Sequence, residues 1–299
     1  MLEDNSNSYK LAGPKNLGVY HREGFVEKQH LLGQRWIDHF AKTYLPFEEF
    51  WFLGCGNGVS DYQVINTLKS EKKPPICFTF LDIQLIPLME FMINYSKSWQ
   101  ETQGDYIHYD NVTRVMINDL SHGIPTKDSS VDGVWFKWAM HWLENPAIII
   151  RELARVLKPG ALAYIATLSP YDVANNETFL RNQFKRDDLL KRFPESEVTP
   201  GYDEITQDYI WIVDHTKLID EFFATHPTAT LHTYHQNLDS RYPRFMTGFM
   251  PEYFTHVAHD YGLIVEGLET VRNDNFPNKY SLEDPRSLSK LHVLLKKPL

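Results

Sequence analysis

Phe50-Trp51-Phe52-Leu53-Gly54-Cys55-Gly56-Asn57-Gly58 sets the reading of the chain. Four consecutive apolar side chains that stop at a glycine predict a short strand buried on both faces, because a strand with one wet face would alternate apolar with polar. The glycines that follow omit side chains at every other position. The backbone there turns sharply and is open to close approach by a ligand, although the same run also serves as a plain structural turn. What comes next argues against two ligand classes. A dinucleotide fingerprint places its third glycine, or an alanine, where this chain has Val59. A Walker phosphate loop closes on Gly-Lys-Ser/Thr, and Gly58-Val59-Ser60 lacks the lysine.

Strands and helices alternate on both sides of this run. Upstream, Phe25, Leu32, Trp36, Phe40 and Tyr44 have helical spacing over Gly24 to Tyr44, and Pro46 closes the helix. Downstream, a helix over Val64 to Leu68 is followed by a second buried run, Ile76 to Leu81, ending at Asp82. A helix over Leu85 to Tyr95 precedes a third strand, Val112 to Ile117, that ends at Asn118-Asp119. The fourth strand, Val131 to Phe136, follows a Lys127-Asp128-Ser129-Ser130 turn. Asn145 to Leu157 has a helix's apolar period with Arg151, Glu152 and Arg155 on the other face, Pro159-Gly160 break it, and Ala161 to Leu168 is a fifth strand. This alternation implies parallel pairing in an open, doubly wound α/β sheet.

After Ser169-Pro170 the alternation lapses. Asn175 to Phe193 and Asp203 to Phe223 read as helical, charged and aromatic. A helix over Pro251 to Asp260 and strands over Leu263 to Val271 and Leu288 to Leu295 restore the pattern. The chain therefore divides into an N-terminal arm and helix (1–45), a sheet domain (46–168 with 249–299), and a mostly helical insertion (169–248) between the fifth and sixth strands. Such an insertion would lie above the carboxyl edge and close over a substrate as a lid.

Composition narrows the partners. At 299 residues the chain is long enough to bury a core without staples, and its two cysteines, Cys55 and Cys77, suit a reducing, cytoplasmic setting. Thirty basic against 39 acidic side chains give a net charge of −9, which repels phosphate backbones and anionic lipid heads, so neither nucleic acid nor a membrane is an expected partner. No apolar run reaches the roughly 18 residues of a membrane helix, and Met1 to Asn16 shows no basic-then-apolar signal pattern. His256 and His259 are spaced i, i+3 but have no third ligand in view, so no metal is expected. The knot of Trp135, Phe136, Trp138 and Trp142 would either fill core or wall an apolar pocket.

In an open parallel sheet, ligands bind outside the carboxyl ends of the strands, where strand order reverses. Asp82 ends the second strand, where an ionised carboxylate either accepts from both hydroxyls of a ribose or caps the following helix. Asp119, closing the third strand, either accepts from an exocyclic adenine amine, with the backbone of Asn118 and Leu120 along the ring, or holds a turn. The fourth strand delivers Phe136-Lys137-Trp138-Ala139-Met140-His141-Trp142 to the same edge.

Several segments now combine. Leu53-Gly54-Cys55-Gly56-Asn57-Gly58, Asp82, Asn118-Asp119-Leu120 shortly before Pro125, Val131-Asp132-Gly133-Val134, and Arg151-Glu152-Leu153-Ala154-Arg155-Val156-Leu157-Lys158-Pro159-Gly160 together resemble the class I S-adenosylmethionine-dependent methyltransferases. The matches run in the family's order over about residues 50–168, and the Leu157 to Gly160 segment is the most specific. The closing pair of strands fits the family's seventh strand, so the resemblance implies a seven-stranded sheet, six strands parallel and one antiparallel, with helices on both faces. It also implies S-adenosyl-L-methionine as cofactor, with Gly54, Cys55, Gly56, Asn57 and Gly58 at its methionine part and Asp82 and Ile83 at the ribose. Asn118, Asp119 and Leu120 would lie at the adenine, Phe136 and Lys137 beside the cofactor, and Lys137 to His141 facing the methyl group. Two positions depart from the family. An acidic residue usually precedes the first glycine by two, and Phe52 stands there, so another acceptor, such as the Phe136 carbonyl, would have to hold the cofactor's ammonium. Ala161 replaces the last glycine of the usual Lys-Pro-Gly-Gly.

Methyl transfer from a sulfonium depends on alignment and water exclusion more than on covalent help. A carboxylate acceptor is already ionised at neutral pH, whereas a hydroxyl or carbon acid needs a base, for which His141 is the nearest candidate. The segment Trp138 to Trp142 resembles carboxyl methyltransferases of the juvenile hormone acid and trans-aconitate type; the other reading of His141 and Trp142 is a packed helix start. His141 and Trp138 are the catalytic candidates, and Tyr20, Trp138, His141, Trp142, Arg241 and Phe245 the acceptor-binding ones. The expected function is O-methylation of a small organic molecule or peptide, at a carboxylate, by a monomer or homodimer. The alternatives are a phenol or enol O- or C-methyltransferase with His141 as base, and a methyltransferase-like fold that binds without transferring methyl.

Overall fold

The computed structural model describes residues 37–39, 48–55, 64–65, 68, 76–83, 113–175, 178–180, 185–192, 194, 197–203, 208–236, 243–272 and 288–299. Strands β1 (Glu49–Leu53), β2 (Cys77–Asp82), β3 (Thr113–Ile117) and β4 (Val131–Lys137) come first, and helix α1 (Ala147–Val156) leads into β5 (Leu157–Leu168). Next follow α2 (Pro170–Asn175), β6 (Thr178–Leu180), α3 (Arg186–Arg192), β7 (Glu197–Asp203), β8 (Asp208–Asp214), α4 (Thr216–Thr225), β9 (Thr230–Gln236), β10 (Pro243–Phe249) and α5 (Pro251–Asp260). The chain ends with β11 (Ile264–Arg272) and β12 (Leu288–Lys296).

The main sheet has seven strands in the order β11-β12-β5-β4-β1-β2-β3. β1 pairs in parallel with both β2 and β4, so strand order reverses at that point, as expected of a doubly wound sheet. β12 alone is antiparallel to its neighbours, β5 and β11. The sheet expected from the sequence, six strands parallel and one antiparallel, is the sheet observed.

The unbroken apolar run of β1 serves two layers. Phe50 and Phe52 enter one core cluster with Ile37, Val64, Ile65 and Leu68, while Trp51 and Leu53 enter another that includes α1 and α5. Successive side chains point to opposite faces, so covering both faces leaves no place for a polar residue. In α1, Ile149, Ile150, Leu153 and Val156 are buried, which is the apolar stripe its periodicity predicts.

The segment from Arg151 to Gly160 works at the amino edge of the sheet, away from the strand ends that bind ligands. Arg155 donates to the carbonyls of Thr126 and Ile124 at 2.7 Å each and to the carboxylates of Glu152 and Asp128. Glu152 in turn accepts from the Ile124 amide, so the loop entering β4 is locked to α1. The Arg155 guanidinium holds the Glu152 carboxyl below its usual range. Lys158 pairs with Asp132 at 2.8 Å, and Asp132 also accepts from the amides of Glu48 and Glu49, which ties β5 and β4 to the start of β1. Lys158 and Pro159 lie inside β5, which begins at Leu157, four residues before the predicted start. Gly160, at φ +82°, absorbs the irregularity as a break in the ladder.

Among its described residues the insertion is not mostly helical, contrary to the helical lid expected from the sequence. Between β5 and α5, β6-β8-β7 form a three-stranded antiparallel sheet and β9-β10 a hairpin pair, with α2, α3 and α4 interspersed. Tyr209-Ile210-Trp211-Ile212-Val213 is aromatic and β-branched, and pairing on both sides of β8 overrides the helical spacing read across that stretch. No helix of the described residues is long and apolar enough to cross a membrane. Cys55 and Cys77 are free thiols.

Candidate active site

Gly54 leaves β1 at φ +57°, and its amide donates to the Leu81 carbonyl at 2.8 Å. A Cβ at this position would collide with the Cβ of Ala139, so the turn after β1 packs its bare backbone directly against the Ala139 methyl in the turn after β4. Cys55 follows, half-buried; Gly56, Asn57 and Gly58, and likewise Tyr20 and Arg241, lie outside the described residues. At the next strand end Asp82 and Ile83 are half-buried, and the Asp82 carbonyl accepts from the Asn118 amide at 3.0 Å, which joins the ends of β2 and β3.

The segment Asn118-Asp119-Leu120 is a pinned turn. Asp119 caps the 3₁₀ turn Leu120–His122 by accepting from the Ser121 amide at 2.8 Å. Asn118 Nδ2 donates to the carbonyls of Asp119 and Gly123, and Leu120 is buried in the core. Of the two roles open to Asp119, the geometry makes the turn explicit, with Oδ1 engaged in it.

Beyond β4 the chain turns at Trp138, a non-glycine residue at φ +57°, a conformation that costs about 1–2 kcal/mol. Its amide donates to the Ala166 carbonyl at 2.9 Å, while its ring meets His292 edge-on at 5.8 Å and lies 5.4 Å beneath the Lys290 ammonium. Leu168, Val173 and Met246 pack with Trp138 and Trp142. Trp138 Nε1 is buried and has no acceptor among the described residues. His141 sits in the 3₁₀ turn Met140–Trp142, buried against the Trp142 ring at 4.9 Å, its Nδ1 without a partner among the described residues. Burial holds the His141 pKa down to about 3, so the ring is neutral at pH 7 and a weak base.

The sequence reading passed over the side chains contributed by β5 and β12. Tyr164 stacks on Trp135 at 3.9 Å, and its hydroxyl lies 2.5 Å from His292 Nδ1. Burial raises the Tyr164 pKa, so the phenol donates and the imidazole accepts. Burial lowers His292 to about 4, with Lys137 and Lys290 adding to the effect. Burial likewise lowers Lys290 to about 8, partly countered by Asp172 and reinforced by Lys137. The available signal was direction: an antiparallel seventh strand brings its first residues, Leu288 to Lys290, to the edge where the parallel strands end.

The insertion reaches the same edge. A Cβ at Gly248 would overlap Pro170, so β10 crosses directly over the start of α2. Thr247 Oγ1 donates to the Leu143 carbonyl at 3.1 Å, and Ser169 Oγ donates to the Leu288 carbonyl at 2.5 Å. Phe245 falls in β10, opposite Tyr234. His256 pairs with Asp260 at 3.6 Å on the exposed side of α5, and no cluster of three metal-ligating side chains occurs among the described residues.

The methyltransferase domain family matches residues 86–165. The chain is 27% identical over 89 residues to the biotin biosynthesis bifunctional protein BioHC of Cellvibrio japonicus, covering 30% of this chain and 16% of that protein. It is 27% identical over 116 residues to the malonyl-[acyl-carrier protein] O-methyltransferase of Hahella chejuensis, covering 39% of this chain and 35% of that protein. The matches thus span about a sixth and about a third of those curated relatives. The fold is shared with the crystal structure of an S-adenosylmethionine-dependent methyltransferase from Clostridium acetobutylicum, at a TM-score of 0.51 and 12% identity, over 95% of this chain and 98% of that one. The chain thus carries a match to the methyltransferase domain family over residues 86–165 and shares the fold of a solved S-adenosylmethionine-dependent methyltransferase. The residues present fit an adenosyl group: a carboxylate at the end of β2 in Asp82 and a rigid backbone turn at 118–120.

Proposed function

We propose that this chain transfers a methyl group to a carboxylate oxygen of a small organic or peptide acceptor. The observation that carries the choice of acceptor is His141: a buried, neutral ring with a pKa near 3 is poorly matched to deprotonating a phenol or enol, and a carboxylate needs no base. The similarity to a malonyl-[acyl-carrier protein] O-methyltransferase supports the same reading.

S-adenosyl-L-methionine supplies an activated methyl on a sulfonium, and the chain's own task is to hold and align. In this reading Gly54, Cys55, Gly56, Asn57 and Gly58 surround the amino-acid end. Asp82, with Ile83, accepts from the ribose hydroxyls, and Asn118, Asp119 and Leu120 border the adenine, Asp119 through Oδ2. Phe52 is fully buried and stacked on Phe80 at 4.7 Å, so the ammonium is assigned to the Phe136 carbonyl instead of the usual acid. Lys137, Trp138, His141 and Trp142 face the acceptor, with Tyr20, Arg241 and Phe245 as further contacts. Residues 169–248 act as the lid over a domain made of 46–168 and 249–299, in the reducing, cytoplasmic setting that two free thiols suit.

The test has two steps. Titration of the full chain with S-adenosylhomocysteine should show binding that Asp82→Ala weakens about tenfold or more. Methyl transfer to a panel of carboxylic acids and phenols should then favour the acids, and His141→Gln should slow it by less than about tenfold, against a hundredfold or more if His141 were a base. No binding, or transfer confined to phenols, would reject the proposal.

A further inference from the structure

The described residues of the edge beside Trp138 are net cationic although the chain as a whole carries −9. Register aligns the groups. Lys137 in β4 is opposite Ala166 in β5, which is opposite His292 in β12, and Lys290 is opposite Leu168, nearer the edge. Directly paired residues share a face, and so do residues two apart along a strand. Lys137, His292 and Lys290 therefore rise from one face of the sheet, above the Trp135–Tyr164 stack that floors it. The Lys290 ammonium lies over the Trp138 ring at 5.4 Å, and Leu168, Val173 and Met246 of the adjoining cluster provide an apolar wall.

From this placement we infer that Lys290, supported by Lys137, is the seat for the acceptor's anionic group, and that the acceptor is a carboxylate with an apolar or aromatic body lying against Trp138. The inference rests on the carboxyl-methylation reading and deepens it. Among the described residues the charged and titratable groups facing Lys290 are Lys137, His292 and Asp172, with Tyr164 behind His292, and these groups together carry positive charge. A half-buried ammonium is partly stripped of water, and an incoming carboxylate restores what burial removed. Trp138 supports the arrangement twice, its ring face attracting the ammonium and its strained backbone fixing the ring at the end of β4.

Octanoate and its neutral counterpart octanamide are the probes, titrated calorimetrically into the full chain with and without S-adenosylhomocysteine. Octanoate should bind about tenfold or more tighter than octanamide; Lys290→Met should bring octanoate down to the amide's affinity, and Lys290→Arg should keep most of the preference. S-adenosylhomocysteine affinity should change less than about twofold in all three proteins. Lys290→Gln repeats the test if the methionine variant fails to fold. Equal binding of acid and amide by the unmodified chain, or undiminished octanoate binding by Lys290→Met or Lys290→Gln, would overturn the assignment. A chain that binds octanoate through Lys290 but takes up no S-adenosylhomocysteine would instead sink the methyltransferase proposal and leave the anion seat standing.

Discussion

A methyl group added at Gly54 would meet the Cβ of Ala139, and the φ of +57° would strain any L side chain as well. Gly54→Ala should therefore lower the unfolding free energy by at least about 2 kcal/mol, read from urea melts, and weaken S-adenosylhomocysteine about tenfold or more in calorimetry. An unchanged melt would show that the two turns separate at little cost. That a glycine is needed here was legible in the sequence; that its neighbour would be Ala139, 85 positions later in the numbering, was not. Trp138 is the converse case. Nothing in a tryptophan's identity announces a left-handed backbone, and only the crossing of β4, β5 and β12 supplies the contacts that hold it there.

Among the elements, α1 and the start of β5 show how a sequence signal can be specific without marking chemistry. The run from Arg151 to Gly160 holds the most specific part of the family resemblance, yet its side chains bind the β4 loop and the amino edge. Arg155→Ala leaves the Ile124 and Thr126 carbonyls and the Glu152 carboxylate without their shared donor. It should destabilise the fold by about 2–4 kcal/mol in denaturant unfolding while leaving the affinity of the folded protein for S-adenosylhomocysteine within about twofold. A loss of affinity with unchanged stability would move this segment from scaffold to site. The insertion failed the sequence reading for a related reason: β6, β7 and β8 pair with each other rather than within themselves, so helical spacing had a competitor invisible to local pattern.

Across the whole molecule, two buried histidines couple the fold to pH. Folding lowers His141 to about 3 and His292 to about 4, below the ordinary value of 6.5. Between those folded values and 6.5 the unfolded chain binds more protons than the folded one, so stability is greatest above pH 6.5 and falls as the medium is acidified. Each histidine should contribute about 1.4 kcal/mol per pH unit in its window. Glu152, whose folded pKa is depressed by Arg155, adds a further loss as pH falls through the carboxylate range. Urea unfolding between pH 7 and 5 should show this slope, and His141→Gln should remove about half of the histidine part. An identical slope in the variant would mean that His141 is solvated and titrates normally.

By its resemblance to a family the amino-acid sequence implied the one reversed strand and a nucleoside cofactor at the strand ends; by itself it determined the alternation of strands and helices and the doubly wound sheet. These rest on apolar period, glycine placement and turn residues, which act over a few positions and are written locally. Tertiary packing decided the mixed architecture of the insertion, the burial that keeps His141 neutral, and the meeting of Lys137, Lys290 and His292 beside Trp138. Those depend on strand pairing and desolvation between separate segments, which for Lys137 and Lys290 lie more than a hundred residues apart, and no local pattern encodes them.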